Sequence, residues 1–265
     1  MIDLHCHILP GIDDGPADMD GSLALARAQV ECGVRTVVAT PHVNLETPND
    51  PETIARGVAE MTMALKEHDL DLTILPGAEV DITLAGGLDD ATLHGLTLGG
   101  TQWLLLEAPL SPGGVGFSEA VQAVQSRGFR ILLAHPERSP AVQRRPEVID
   151  DLVAVGVRCQ ITAGALVGKF GGVVQKTAYE LVRKGVVHNV ASDAHEAFRR
   201  KPGLRSELEQ AGLEEATDLW CRQFPSTLLS GQQAAMPTAA LLSSLASAQP
   251  TPTVGNGFLS RLRRK

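Results

Sequence analysis

The chain opens with MIDLHCHILPGIDDG, residues 1–15, which joins a strand-like run to a group of metal-ligand side chains. Ile2–His5 is short and largely apolar, as expected for a strand of a parallel sheet covered by helices. Residues two apart in a strand project to the same side, so His5 and His7 can chelate one ion. Asp3 shares their face and is interpreted either as a partner of an imidazole N–H or as a solvated or capping carboxylate. The opening therefore predicts a strand whose carboxyl end carries metal ligands.

Six further runs of this kind recur, each separated from the next by a stretch with helical periodicity. Asp50 and Pro51 mark the N-cap and first turn of one intervening helix. Comparable signals predict helices that end at Gly33 and Gly156. Seven alternations of strand and helix favour a barrel-like α/β fold over an open sheet. The six runs are Arg35–Thr40, Leu72–Pro76, Trp103–Glu107, Arg130–Ala134, Arg158–Thr162 and Val187–Ala191.

Composition narrows the class of protein. The 265 residues, 43% of them hydrophobic, suffice for one large domain with a core. A net charge of −8 and an aromatic content of 3% argue against a nucleic-acid-binding surface. The start does not look like a signal peptide, and no run approaches the about 20 apolar residues that span a bilayer. The four cysteines form no CxxC pair, which is typical of free thiols in a reducing compartment. We expect a cytoplasmic protein that does not span a membrane.

The end of the chain differs in composition from the rest. From Gln232 onward Ala, Ser, Pro, Thr and Gly dominate. We therefore predict a domain over residues 1–231 and a flexible tail over residues 232–265, with a short helix near Thr238–Leu245. The last segment, FLSRLRRK (258–265), is basic and amphipathic, and it is interpreted either as a docking element or as a solvated end without a partner.

Histidines and carboxylates follow the carboxyl ends of six of the seven predicted strands. The loops at that rim of an α/β barrel converge on one mouth, where the active site lies. A single histidine is usually a packed or surface residue, but nine suitable groups on one rim indicate a functional cluster. Strand six offers only Thr162, and His68, His94 and His188 lie elsewhere. The rim groups are His5, His7, one of the adjacent Asp13 and Asp14, His42, Glu79, Glu107, His135, Asp193 and His195.

These residue types point to a polynuclear metal site. Imidazole and carboxylate ligands without thiolate favour manganese, iron or zinc. Nine ligands are too many for one ion at a coordination number of about four to six, so we expect two or three metals with a bridging carboxylate. Clusters of that kind activate water and hold the oxygens of a phosphate ester.

Basic residues on the same rim point to phosphate. Arg138 lies three residues after His135, and Arg199, Arg200 and Lys201 follow His195 closely. Guanidinium groups match phosphoryl oxygens with forked donors, although surface charges paired with nearby acids are the alternative. Loops 44–50 and 111–114 are interpreted as rim loops that shape access.

Other nucleophiles can be tested against the sequence. No cysteine is followed by an arginine six residues later, so the phosphate-binding loop of cysteine-dependent tyrosine phosphatases is missing. The Ser–His nucleophile elbow is missing as well. Metal-activated water is the remaining attacker.

Six segments resemble the PHP (polymerase and histidinol phosphatase) superfamily, and more narrowly the bacterial manganese-dependent protein-tyrosine phosphatases of the CpsB/YwqE type. The resemblance is collinear over roughly residues 1–230, and the Asp-Asp-Gly of the first segment is specific to this branch. It implies the PHP fold, a distorted TIM-like α/β barrel of about seven parallel strands. The segments are MIDLHCHILPGIDDG (1–15), ATPH (39–42), GAE (77–79), LE (106–107), AHPER (134–138) and ASDAH (191–195).

The resemblance also implies a ligand set for three divalent metals, with manganese favoured and iron or zinc as alternatives. Glu79 would bridge the first two ions, and the pattern selects Asp14 over Asp13. Arg138 and Arg200 match the arginines that the family uses on phosphate. The ligands would be His5, His7, Glu79 and Asp193 for the first ion, Glu79, Glu107 and His135 for the second, and Asp14, His42 and His195 for the third.

The implied enzyme is a protein-tyrosine phosphatase, a phosphoric monoester hydrolase. Its implied substrate is phosphotyrosine on the tail of a bacterial tyrosine autokinase that controls capsule or exopolysaccharide export. Two positions depart from the family pattern: Gln160 opens a strand-six segment that usually carries Asn, and Ser139 replaces an aromatic or amide residue. Three alternatives stay open, namely a small-molecule phosphoesterase of the histidinol-phosphatase kind, a polymerase-type nuclease module and a non-catalytic metal-binding scaffold.

Overall fold

The computed structural model describes residues 1–110, 116–231 and 238–250. Its strands pair in parallel throughout, in the orders β1-β2-β4 and β3-β5-β6-β7-β8-β9. The strands are β1 (Ile2–Cys6), β2 (Thr36–Ala39), β3 (His42–Val43), β4 (Thr73–Pro76), β5 (Glu79–Asp81), β6 (Trp103–Glu107), β7 (Arg130–Ala134), β8 (Arg158–Thr162) and β9 (Val187–Ala191).

Predicted strands two and three are each followed by a short strand that was not predicted. β3 follows β2 across Pro41, and β5 follows β4 across Gly77. Pro41 has no N–H to donate to a ladder, although its carbonyl accepts from the Glu79 N–H at 3.1 Å. A Cβ on Gly77 would lie 2.7 Å from Cγ1 of Val38, so this crossing depends on glycine. The seven predicted strands are therefore present, and the chain steps from the first sheet to the second within strands two and three.

The two sheets close into one barrel where β1 meets the end of β9. Cys6 and Ala194 form a parallel bridge. The His7 N–H donates to the Ala194 carbonyl at 2.9 Å, and the Asp193 N–H donates to the His5 carbonyl at 2.9 Å. The prediction of a distorted barrel of about seven parallel strands is confirmed.

Helices cover the outside of the barrel and begin at the predicted signals. Asp50 caps α2, accepting from the Thr53 N–H at 2.8 Å. Leu4, Leu105 and Leu132 belong to an inner apolar cluster, whereas Cys6 and Leu106 belong to the larger core beneath the helices. The helices are α1 (Met19–Glu31), α2 (Pro51–Glu67), α3 (Ile82–Ala85), α4 (Asp90–Gly95), α5 (Phe117–Gln125), α6 (Pro140–Arg144), α7 (Glu147–Ala154), α8 (Ala163–Leu166), α9 (Gly172–Lys184), α10 (Leu204–Gln210), α11 (Phe224–Ser230) and α12 (Ala239–Leu245).

Part of the predicted tail packs on the domain. The helix predicted near Thr238–Leu245 forms as α12, whose Leu245 is buried and joins the core. The Ala248 carbonyl accepts a hydrogen bond from Arg183 of α9 at 3.1 Å. The basic end (258–265) and the rim-loop residues 111–114 lie outside the described residues, and the domain boundary at residue 231 stays a prediction. In the described part of the chain, no helix is long and apolar enough to cross a membrane.

Candidate metal centre

The structure brings all nine predicted ligands together at the carboxyl end of the barrel. They form four overlapping groups, and within each group one ligand atom per residue lies within 4.8 Å of the others. His42 and Glu79, expected just after their strands, lie inside the short strands β3 and β5 that continue them. The groups are His7, Asp14, His42 and His195; His5, His7 and Asp193; His5, Glu79 and His135; and His42, Glu79 and Glu107.

Glu79 lies at the centre of the cluster and is buried. Its Oε2 is 3.2 Å from Nε2 of His5, 3.4 Å from Nε2 of His7 and 3.1 Å from Nδ1 of His42. Its Oε1 is 2.6 Å from Nε2 of His135. One carboxylate thus faces four imidazoles, which is the placement required of a residue shared between two ions.

Asp193 is the second buried carboxylate, and its two oxygens face different partners. Oδ1 lies 3.5 Å from Nε2 of His5 and 3.6 Å from Nε2 of His7. Oδ2 accepts hydrogen bonds from Arg138 at 2.7 Å and from Arg200 at 2.9 Å. The backbone of Asp193 is left-handed, with φ of 50°, and such strained non-glycine residues cluster at functional sites.

The two predicted phosphate-binding arginines therefore meet at the mouth of the cluster. Arg200 also lies 3.7 Å from the carboxylate of Asp14, which is more than half exposed. Arg138 places its guanidinium 5.1 Å from the ring centre of Phe170, a cation–π contact that restrains the side chain. Arg199 and Lys201 do not take part in these contacts and line a neighbouring pocket instead.

Two residues that the sequence did not assign hold the ligating histidines in place. Oδ2 of Asp13 lies 2.6 Å from Nδ1 of His7, and Oε1 of Gln160 lies 2.7 Å from Nδ1 of His5. Such contacts select the tautomer and fix the ring, which leaves the other nitrogen free for a metal. In the sequence, the signals for these two roles were the adjacent Asp13 and Asp14 and the departure from the family pattern at Gln160. Neither signal shows which histidine is contacted.

The interpretation of Asp3 as a partner of an imidazole N–H is wrong. The pairing of β1 with β2 is irregular between Asp3 and Cys6, and Asp3 is fully buried among partners outside the ligand groups. Its carboxylate accepts hydrogen bonds from Gln29 of α1 at 2.7 Å and from the Ser192 N–H at 3.1 Å. Asp3 is therefore a buried structural carboxylate between α1 and the loop after β9.

The electrostatics of the cluster fit a bound cation. Burial raises the pKa of Glu79, but the interactions with the His5 and His135 imidazoles outweigh it and hold the pKa well below its usual range. Burial and the charge of Glu79 raise the pKa of Glu107 to about 8. Burial lowers the pKa of His7, but its hydrogen bonds with Asp13 and Glu79 prevail and raise it to about 10. In a metal-loaded centre, the positive charge of the ions would replace the protons on Glu107 and His7 and compensate the carboxylates.

Unpartnered atoms inside the cluster give an independent test of the fit. Among the described residues, Glu79 Oε2, His42 Nδ1 and His195 Nε2 are buried and form no hydrogen bond of normal geometry, although Glu79 Oε2 lies 3.1 Å from His42 Nδ1 and His195 Nε2 lies 3.1 Å from Asp14 Oδ1. Buried polar atoms without partners are costly, and these three belong to residues of the four ligand groups. The donor set therefore fits metal ions, and the fold and site together define a metal-dependent hydrolase built on a distorted α/β barrel.

The comparisons with known proteins identify the family. The sequence profile described as "Capsular polysaccharide synthesis, CpsB/CapC" matches residues 1–218. The tyrosine-protein phosphatase YwqE of Bacillus subtilis is 36% identical over 201 residues, 76% of this chain and 79% of that protein. The tyrosine-protein phosphatase CpsB of Streptococcus pneumoniae is 29% identical over 233 residues, 83% of this chain and 95% of that protein. The chain belongs to the CpsB/CapC family.

Solved structures agree with this assignment. A chain from "Crystal structures of YwqE from Bacillus subtilis and CpsB from Streptococcus pneumoniae, unique metal-dependent tyrosine phosphatases" matches with a TM-score of 0.80 and 31% identity. It covers 95% of this chain and 100% of that chain. Dihydropyrimidinase from Brevibacillus agri matches with a TM-score of 0.52, 12% identity and coverage of 90% and 72%, which shows the fold alone. The prediction of a metal-dependent tyrosine phosphatase of the capsular polysaccharide type is confirmed.

Proposed function

We propose that this phosphatase acts on phosphotyrosine in the tail of a bacterial tyrosine autokinase that controls capsule or exopolysaccharide export. The observation that best supports phosphate chemistry at this site is the position of Asp193 between the histidine cluster and the two arginines. One of its oxygens faces the histidine cluster, and the other accepts from both arginines. A phosphoryl group at this point meets metal ligands on one side and guanidinium groups on the other. Family membership supports the connection to capsule synthesis.

We infer a centre of three divalent metals, with manganese favoured and iron or zinc as alternatives. The overlap of the four groups through His5, His7, His42 and Glu79 supports several ions rather than one. When bound, such ions lower the pKa of water and neutralise charge on a phosphate ester. The proposed ligands are His5, His7, Glu79 and Asp193 for the first ion, Glu79, Glu107 and His135 for the second, and Asp14, His42 and His195 for the third.

The protein side chains would orient the substrate for attack by water. Arg138 and Arg200 would donate to the phosphoryl oxygens in the forked geometry that guanidinium groups allow. Asp13 and Gln160 would hold the rings of His7 and His5. The leaving tyrosine has a hydroxyl pKa of about 10, so a strong general acid is less necessary than for a serine ester.

Cys6 and Cys159 do not offer a competing nucleophile. Cys6, nearest the cluster, is buried, and its Sγ contacts the Ala194 carbonyl at 3.5 Å. Burial raises its pKa well above the usual range and raises the pKa of Cys159 to about 12. A thiolate is the reactive form of cysteine, so these groups stay inert.

The deciding experiment combines metal content with substrate choice. The purified protein is chelated, reloaded with manganese, iron or zinc, and assayed on a phosphotyrosine peptide from an autokinase tail, on an unrelated phosphotyrosine peptide and on histidinol phosphate. We expect about three ions per chain, recovery with manganese and preference for the kinase peptide. Preference for histidinol phosphate would contradict the proposed substrate, and one ion per fully active chain would contradict the three-metal centre.

A further inference from the structure

We propose that a cationic pocket beside the metal centre binds an anionic side chain that neighbours the phosphotyrosine in the substrate. The cationic pocket is the cavity lined by Lys169, Arg199 and Lys201. This inference rests on the proposed action on a protein substrate, and it assigns to the pocket a role in choosing among phosphotyrosine sequences.

The cationic pocket adjoins the site of reaction. Its volume is about 280 Å³, and its wall includes Asp193 and Arg200, both of which belong to the mouth of the metal centre. Phe170, which packs under Arg138, lines it as well. A group in this cavity would therefore lie beside Asp193 and Arg200 at the mouth of the metal centre.

The charges of the cationic pocket are not balanced by its own carboxylates. Lys169 is paired with Glu207, and Arg200 is paired with Asp193. In the part of the chain that the structure describes, neither Arg199 nor Lys201 forms an ion pair, and both side chains are exposed. Two uncompensated cations therefore flank Arg200 in a chain whose net charge is −8.

The size and donors of the cationic pocket define the ligand. A water molecule occupies about 30 Å³ of liquid, so the cavity has room for a carboxylate or a phosphoryl group. Guanidinium and ammonium groups donate to the oxygens of both, with stronger hydrogen bonds than neutral donors form. The shared chemistry is an oxyanion, supplied either by a neighbouring Asp or Glu or by a second phosphotyrosine.

General attraction of negative substrates is the competing explanation for these cations, and it makes a different prediction. If Arg199 and Lys201 only raise the local concentration of anions, their removal weakens every phosphate ester alike. If they bind a neighbouring group, their removal weakens only substrates that carry one.

The test compares matched peptides and variants on the manganese-loaded full chain. All peptides share one phosphotyrosine. Gln, Glu or a second phosphotyrosine is placed in turn at each of the two positions before it and the two positions after it. Phenyl phosphate is the small substrate without neighbouring residues. The variants are Arg199→Gln, Lys201→Gln and the double change. The matched control is Lys66→Gln, an exposed lysine in the last turn of α2.

We expect the native protein to show a KM about 5-fold lower for the Glu or doubly phosphorylated peptide at one position, since one exposed charged contact contributes about 1 kcal/mol. The double variant should lose that preference and keep its activity on the Gln peptide and on phenyl phosphate. Comparing the Glu and phosphotyrosine peptides identifies the anion. Equal losses on all substrates, or no preference in the native protein, would overturn the proposal. Both outcomes leave the phosphatase function intact, whereas inactivity on every phosphotyrosine substrate would refute the function itself.

Discussion

Oδ2 of Asp13 lies 2.6 Å from Nδ1 of His7, while Nε2 of the same ring faces Oε2 of Glu79 at 3.4 Å. The carboxylate of Asp13 also accepts from the N–H of His42 at 3.1 Å and from the N–H of Gly15 at 2.9 Å. Asp13 therefore joins the loop after β1 to two predicted ligands, His7 just past the end of β1 and His42 of β3. The carboxylate of its neighbour Asp14 lies nearest to His195, with Oδ1 3.1 Å from Nε2 of that ring and 3.9 Å from Nδ1 of His7. The two adjacent carboxylates therefore have different contacts: Asp13 hydrogen-bonds with His7, and Asp14 faces His195.

Asp13→Ala should weaken metal binding without removing a ligand. Loss of an outer partner of a ligating histidine lowers metal affinity by about 10–100-fold, because the ring is no longer held in one tautomer and orientation. The measurement is manganese titration by calorimetry on the chelated protein. Asp20→Asn, an exposed carboxylate in the first turn of α1, is the control. Native affinity in Asp13→Ala would show that His7 is held by other contacts.

Glu79→Gln should reduce turnover by more than the about 10–100-fold expected for an outer partner, because the change removes the charge shared by the cluster. The side chain keeps its volume, so circular dichroism should stay native. Metal content should fall together with activity on a phosphotyrosine peptide. The exposed Glu119→Gln on α5 is the control. Full activity in Glu79→Gln would rule out a bridging role.

Arg138→Ala and Arg200→Ala should each lower kcat/KM on phosphotyrosine peptide by about 10²-fold, as loss of one positioned donor to a developing charge does. Both arginines donate to the same Asp193 oxygen, so the double variant should lose less than the product of the single effects. Arg130→Ala, at the amino end of β7, is the control. Strictly multiplicative effects would show that the two arginines act on separate groups.

Manganese should raise the thermal stability of the chelated protein. Ions bind the folded state, in which loops from several strands bring the ligands together. Saturation at about 100 times Kd stabilises by about 2.7 kcal/mol, which corresponds to a rise in Tm of about 5–10 °C for a domain of this size. Calorimetry with and without manganese measures the shift, and excess chelator should reverse it. An unchanged Tm would mean that the cluster does not bind manganese under those conditions.

Acid should destabilise the fold through His188. Burial and the nearby Arg158 lower the pKa of this histidine from 6.5 to about 3, and its Nδ1 accepts from the Cys159 N–H at 3.2 Å. Between these pH values the unfolded chain binds a proton that the folded chain does not. Stability is therefore retained above pH 6.5 and decreases as the pH falls toward 3, by up to about 1.4 kcal/mol per pH unit.

His188→Asn keeps an acceptor for the Cys159 N–H and removes the titration. The measurement is urea unfolding at about pH 7.5 and at about pH 4.5. The loss of unfolding free energy between these two conditions should be smaller for this variant than for the native protein. His68→Asn, an exposed histidine after α2, is the control. Equal losses in the native protein and His188→Asn would show that other groups cause the acid sensitivity.

Most of the fold was predictable because its signals are local. The apolar runs and the capping residues placed the strands and helices, and the Asp50 cap forms as predicted. The breaks at Pro41 and Gly77 were not predicted. They depend on how the first sheet passes into the second, and a short apolar run does not reveal where a ladder changes partner.

The sequence predicted which residues form the candidate site, but not the contacts that these residues make. Each ligand ends an apolar run or lies in the loop that follows it, so the rim was visible in sequence order. The supporting contacts were not visible in the sequence, because Gln160 meets His5 across 155 positions of the chain. Asp3 likewise pairs with Gln29 of α1, and the pairing of β1 with β2 is irregular after Asp3. Sequence spacing assumes a regular strand, and it fails where the pairing shifts.

By itself the sequence determined the alternation of strands and helices, the rim on which the chemistry lies and the residue types that favour metal and phosphate. Hydrophobic periodicity and residue chemistry are local properties, so they can be deduced without knowing which strands pair. The tertiary structure alone decided that Asp13 supports His7 while Asp14 faces His195. It also placed Arg138 and Arg200 on one oxygen of Asp193, and left Arg199 and Lys201 in a pocket beside it. These relationships arise when barrel closure brings distant loops together, and distances of that kind are set by packing rather than by order along the chain.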